Sequence, residues 1–132
     1  MPKFSKYSID RLEGCDPLIQ QVLDRVIHMY DCRVLWGHRS NVTQERMFFD
    51  GHSQKRGGKS LHNKFPSMAV DVAPYPIDWQ DGKRFVYFAG HVMAMANILG
   101  VRLRWGGDWN MDHRLKDNRF NDYCHFEIPL IN

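Results

Sequence analysis

The sequence predicts a small α+β domain, a mostly antiparallel sheet packed with two main helices. Three observations carry that expectation. Apolar residues recur at helical spacing in two stretches, residues 17–30 and 83–99. Short runs between and after them alternate, or are rich in β-branched and aromatic residues, and end at Gly, Pro or Asp. A chain of 132 residues also supports one domain with one core, so residues 1–132 are taken as a single unit.

In chain order, residues 1–14 show no clear period. Asp16-Pro17 reads as an N-cap followed by Pro at the first helical position. Ile19, Val22, Leu23, Val26, Ile27 and Tyr30 then follow at helical spacing, so a core helix is expected over 17–30. Cys32–Gly37 reads as a short strand. Asn41 is a candidate cap, with Gln44 three residues on, for a short helix to Phe49. Residues 50–59 are Gly-rich and basic without a hydrophobic period, as expected of a loop rimming a site. Met68–Ala73 reads as a strand ended by Pro74. Val70 and Val72 take one face; Ala69, Asp71 and Ala73 take the other. Asp disfavours strands, so Asp71 is out of place unless the small residues beside it leave room for a ligand. Phe85, Phe88, Ala89, Val92, Met93, Ala96 and Leu99 define a long helix over 83–99, with Gly100 just beyond its end. Val101–Gly106 alternates as a strand, 107–121 is a polar and aromatic loop, and Tyr123–Leu130 is the last strand.

Composition excludes several classes. Hydrophobic residues make up 43% and charged ones 25% of the chain, ordinary for a globular protein. No apolar run approaches the roughly 20 residues of a membrane span. The N-terminus lacks a secretory signal, so a cytoplasmic protein is expected until something releases it. Net charge is +3, compatible with an anionic polymer such as a cell wall. No Lys/Arg run or nucleic-acid motif points to DNA or RNA. Cys15, Cys32 and Cys124 fit no disulfide framework and no C-x-x-C metal pattern. A monomer is expected.

Two stretches carry the chemistry. The first is Ser60-Leu61-His62-Asn63-Lys64-Phe65-Pro66-Ser67-Met68-Ala69-Val70-Asp71; the second is Asp122-Tyr123-Cys124-His125-Phe126-Glu127. Together they offer His62, Asp71 and His125 as metal ligands. Two imidazoles and a carboxylate suit Zn²⁺, whose fourth position goes to water in a catalytic site. Cys124 neighbours His125, but successive strand residues point to opposite faces, so it is not expected to ligate. His113 is the reserve ligand. Asp108, Asp112, Asp117 and Asp122 lack the spacing, Gly and closing Glu of a calcium loop.

These motifs resemble the zinc DD-carboxypeptidase and L,D-endopeptidase group of metallopeptidases, the VanY/VanX-like enzymes and many phage endolysins. The S-x-H, A-x-D and F-x-D-x-x-H-F-E patterns occur in order, with Trp105-Gly106-Gly107-Asp108-Trp109 between them. The spacer after His62 is two residues longer than in many members and lacks their Gly. The resemblance runs from about Gly37 to Ile128. It implies a hedgehog/DD-peptidase-like fold with the ligands on the sheet, and one zinc held by His62, Asp71 and His125. It further implies Asp122 as the catalytic base, and a substrate cleft lined by Arg39 and Gln44 of the Gly37-His38-Arg39-Ser40 turn region. Arg39 is expected to bind a peptide carboxylate or a developing oxyanion. Ser60 is expected to hydrogen-bond within the site as a substrate contact. Glu127, on the strand face of His125, competes with Asp122 but suits a role orienting that ring. The implied activity is hydrolysis of a peptidoglycan stem peptide at an L-Ala–D-Glu bond or a D,D crosslink. The alternatives are a D-Ala-D-Ala carboxypeptidase or dipeptidase, or a non-catalytic zinc domain binding cell-wall peptide. The presence of Asp122 favours an enzyme.

Overall fold

A computed structural model describes residues 1–118 and 120–130. Ser5 opens a first helix, α1 (Lys6–Leu12), by accepting a hydrogen bond from Ser8 N at 3.2 Å. This helix has no apolar period because one of its two buried residues, Ser8, is polar. Its hydroxyl accepts from Val34 N at 3.0 Å and so pins the helix to the first strand.

The second helix, α2 (Pro17–Val26), starts as its sequence dictates: Asp16 accepts from Leu18 N at 2.9 Å and Pro17 stands at the first position. It ends at Val26, and a turn rather than further helix carries the chain to Tyr30. Strand β1 (Cys32–Trp36) leads to α3 (Asn41–Phe49). The cap of α3 is Ser40, one residue before the expected Asn41; its hydroxyl accepts from Thr43 N at 3.1 Å. Strand β2 (Ala69–Pro74) follows a single 3-10 turn at Leu61–Asn63. The long helix α4 (Gly82–Ile98) is capped by Asp81 on Arg84 N at 3.1 Å and closes on Gly100 at φ +73°, a conformation that favours glycine.

The last two strands are shorter than their sequence period. Only Arg104–Gly106 pairs as β3, and β4 runs from Asp122 to Glu127. Sheet order is β1-β2-β4-β3, and every neighbouring pair is antiparallel. Helix α1 packs against β1, an edge strand, and shields its outer side.

One face of the sheet is apolar. Val70, Val72, Trp105 and Phe126 join Ile19, Leu23 and Val26 of α2 and Phe88 and Val92 of α4 in a single core. Phe88 and Phe126 meet edge-on with ring centroids 6.5 Å apart. Alternation sends the intervening residues, Asp71 on β2 and His125 and Glu127 on β4, to the other face. The register then sets Asp71 directly opposite His125. Fold class, sheet character and the helices backing the sheet agree with the sequence expectation; α1 was not foreseen.

Candidate metal centre and active site

The three expected ligands meet. His62 sits on the 3-10 turn, where the Ser60 hydroxyl accepts from His62 N at 3.1 Å. His62 Nε2 lies 3.3 Å from Asp71 Oδ1, and His125 Nδ1 lies 3.1 Å from the same oxygen. One donor atom from each residue falls within 4.8 Å of the other two. Donors in a tetrahedral zinc site with bonds of about 2.0–2.1 Å stand roughly 3.3–3.4 Å apart, so the two measured separations fit such an ion with little movement.

Each ring is aimed by a partner on its other nitrogen. His62 Nδ1 is 2.8 Å from the Gly37 carbonyl. A carbonyl can only accept, so Nδ1 carries hydrogen and Nε2 is the nitrogen that faces Asp71. His125 Nε2 is 2.7 Å from Glu127 Oε1, and the far oxygen of Glu127 accepts from Arg104 Nε at 3.0 Å and Nη2 at 2.5 Å. Burial tends to raise the Glu127 carboxyl, but His125 and Arg104 hold it below its usual range. It therefore accepts from His125 Nε2 and leaves Nδ1 for a ligand role. This matches the orienting position expected from the shared strand face.

The electrostatics follow from this packing. Burial tends to raise the Asp71 carboxyl, yet the two imidazoles hold it well below the ordinary range. Burial tends to lower the His125 imidazole, but Asp71 and Glu127 outweigh it and raise it to about 10. Without a metal, His125 thus keeps its proton between Asp71 and Glu127, and a cation bound at these residues would displace the one on Nδ1.

Asp122 opens β4 beside this cluster. Between Trp105 and Gly106 the β3–β4 register slips, so a single step on β3 spans Phe126 to Asp122 on β4. Such a bulge re-aims side chains. It frees the Tyr123 carbonyl, which accepts from Trp105 Nε1 at 2.7 Å. Gly106 permits the slip: a Cβ there would stand 2.1 Å from the Asp122 carbonyl oxygen. Burial, and then the charge of Asp71, raise the Asp122 carboxyl above its usual range, while His125 and His62 pull it down. Cys124 does not join the ligands; its thiol lies 3.5 Å from Asp122 Oδ1.

The remaining expected residues take other places. Gln44 is fully enclosed rather than at a cleft surface. Its carbonyl accepts from Arg39 Nη1 at 2.8 Å, and its amide donates to Ser53 Oγ at 2.7 Å and to the Lys55 carbonyl at 2.8 Å. Both amide hydrogens are engaged within the protein. Arg39 is 5% exposed, with Nη2 3.3 Å from Asp71 Oδ2 and its guanidinium over the Trp36 ring at 4.5 Å. It meets the Asp71 oxygen that the two imidazoles do not. Ser60 spends its hydroxyl capping the turn that bears His62, with Asn63 completing a reciprocal cap. His113, the reserve ligand, is exposed and outside the cluster.

Four contributors escaped the sequence reading: the Gly37 carbonyl, Arg104, Trp109 and the thiol of Cys124. Trp109 sets its ring 5.4 Å from that of His125 and so walls the centre. Arg104 was discoverable, since an alternating strand beside one ending in Glu127 invites a cross-strand ion pair.

Comparison with known proteins agrees with this geometry. A family model described as "Phage L-alanyl-D-glutamate peptidase" matches residues 1–129. The chain is 32% identical over 114 residues to the L-alanyl-D-glutamate peptidase of Escherichia phage T5, covering 82% of each. Its fold is similar to the crystal structure of Serratia marcescens L-Ala D-Glu endopeptidase ChiX. That match has a TM-score of 0.76 and 25% identity, and covers 97% of this chain and 91% of the other. The paired histidines and aspartate on adjoining elements, and a match that spans nearly the whole chain, place this protein in the phage L-alanyl-D-glutamate peptidase family.

Proposed function

We propose that this protein is a zinc-dependent endopeptidase that cleaves the L-Ala–D-Glu bond of the peptidoglycan stem peptide. The observation that carries it is the pair of imidazole nitrogens converging on Asp71 Oδ1 at 3.3 and 3.1 Å, each ring fixed from behind, in a member of this family. A zinc ion held by His62, Asp71 and His125 supplies a Lewis acid for the scissile carbonyl and an acidified water.

The chain's own residues do the rest. Asp122, half-buried and raised in proton affinity, is suited to take a proton from the attacking water and return it to the leaving nitrogen. The water oxygen bonds to the L-Ala carbonyl carbon, the C–N bond breaks, and the proton reaches the D-Glu amine. The walls formed by Trp109 and the His62 turn keep the ligand rings in place while this happens. The protein acts as a monomer and reaches the wall from the cytoplasm on release.

The test is digestion of purified peptidoglycan by the zinc-loaded protein, with mass spectrometry of the fragments. New D-Glu amino termini paired with free L-Ala carboxyl ends are expected. Release of terminal D-Ala, or breakage only at D,D crosslinks, would assign a different bond. No cleavage by folded, zinc-loaded protein would overturn the enzymatic assignment.

A further inference from the structure

The polar atoms behind Asp71 form a continuous chain that the proposed chemistry does not use. Its members are Arg39 and Gln44. Gln44 is anchored at three points: it accepts from Arg39 and donates to Ser53 and to the Lys55 carbonyl. It cannot swing without breaking bonds in a dry environment, where each is costly to lose. Arg39 is fixed in turn by Gln44 on Nη1 and by the Trp36 face. Its Nε is the only buried side-chain nitrogen or oxygen without a partner among the described residues. The guanidinium is therefore held in this pose at the expense of one unpaired N–H.

The main chain of Arg39 is tied to the other ligand. Arg39 N donates to the His62 carbonyl at 2.8 Å, and the Arg39 carbonyl accepts from Asn63 Nδ2 at 2.9 Å. One residue thus braces the His62 turn with its backbone and Asp71 with its side chain.

The two oxygens of Asp71 are consequently unlike. Oδ1 receives both imidazoles, and Oδ2 receives Arg39 Nη2. A carboxylate free on both oxygens can bind a cation through one or through both. We propose that Arg39, anchored by Gln44, is a positioning residue that withholds Asp71 Oδ2 from the metal, so that Asp71 ligates through Oδ1 alone and one coordination position stays open for water and substrate. This rests on the metal-dependent function proposed above and specifies how the open position is kept. It also assigns a task to the two residues that were expected to touch substrate.

The experiment uses full-length protein stripped of metal and reloaded. Zinc affinity is measured by chelator competition, and coordination by the visible absorption of the Co²⁺ form, with circular dichroism to verify folding. Arg39→Met removes the charge and fork at similar length; Gln44→Met removes only the anchor. Both should change zinc affinity by about 10-fold or more, the usual effect of altering a group that orients a metal ligand. Both should also show weaker cobalt absorption, as a second Asp71 oxygen raises the coordination number. Should Arg39→Met fail to fold, Gln44→Met carries the comparison. X-ray absorption of zinc-loaded wild type needs no variant: a one-oxygen carboxylate ligand is expected and a two-oxygen one overturns the inference. Folded variants with wild-type affinity and spectrum would overturn it too, leaving the proposed zinc peptidase standing. A wild-type protein that binds neither zinc nor cobalt would overturn both.

Discussion

Glu127→Gln tests the metal centre from the side of His125. Glu127 uses both oxygens: one at 2.7 Å from His125 Nε2, the other on the Arg104 guanidinium at 3.0 and 2.5 Å. Glutamine has one oxygen and one NH₂ in the same space. If the oxygen faces His125, the NH₂ points at the guanidinium, donor against donor, and the ion pair is lost. If the NH₂ faces His125, the ring must accept at Nε2 and carry hydrogen on Nδ1, the nitrogen facing Asp71. That tautomer cannot ligate. Either arrangement weakens the site. Changing a group that orients a metal-bound histidine costs about 10–100-fold in affinity, or about 1.4–2.8 kcal/mol at tenfold per 1.4 kcal/mol. Titration against a zinc chelator at pH 7.5 reads this directly, and activity should return in excess zinc. Unchanged affinity with abolished activity would refute the reasoning and make Glu127, not Asp122, the proton carrier.

Asp122→Asn should bind zinc as wild type does while turnover on peptidoglycan falls about 10²–10⁴-fold, the usual contribution of a general base; a variant that stays active excludes Asp122 from that role. Gly106→Ala sets a methyl 2.1 Å from the Asp122 carbonyl oxygen, so it should cost about 1–3 kcal/mol in chemical denaturation and lower turnover more than zinc affinity; a silent variant would show that the bulge does not aim Asp122. In metal-free protein the raised His125 imidazole contributes stability that is complete below its ordinary value of 6.5 and is lost as pH rises through about 10. The metal-free Tm should therefore fall between pH 7 and 10 in wild type and less in His125→Ala; equal slopes would contradict it. Burial pushes the Cys15 and Cys32 thiols up to about 12, so neither should be alkylated by iodoacetamide at pH 8 until denaturant is added.

What the sequence disclosed follows from how local each determinant is. The α4 period is a property of neighbouring residues, and Asp81 and Gly100 at its ends needed no tertiary information. The same holds for Asp16-Pro17 at the start of α2. The candidate ligands were legible from the spacing of the two motifs, and from Asp71, an acidic residue between Val70 and Val72 where strands disfavour one. Helix α1 was not legible because it buries Ser8 rather than an apolar stripe, and its fit depends on Val34 N, 26 positions away. Strand β3 read too long because Val101 and Leu103 alternate for burial in the core, without pairing to another strand.

The roles of Arg39, Gln44 and Ser60 show a different limit. A motif fixes which residues gather, not which way they face. Only the fold shows that Gln44 is sealed behind the loop of Ser53 and Lys55, or that Arg39 meets Asp71 from the side opposite the imidazoles. The resemblance located the residues, and the fold shows which hydrogen bonds each of them makes.

The division of the sheet into two faces explains how a small domain carries so many buried charges. Asp71, Arg39, His125 and Glu127 are each less than a tenth exposed. Isolated charges at such depth would cost several kcal/mol apiece. Here they alternate in sign: Arg39 on Asp71, Asp71 on His125, His125 on Glu127, Glu127 on Arg104. The outer links are bound to α3 through Gln44 and to β3 through Arg104. The proton on His125 stands in for the cation. A divalent metal loaded here would displace that proton and add one further positive charge beside Asp71. The apolar face, with Phe88 against Phe126, supplies the rigidity that keeps Asp71 and His125 in register. Stability is concentrated on one side of β2 and β4 and chemistry on the other, and the two-residue period of the strand is what separates them.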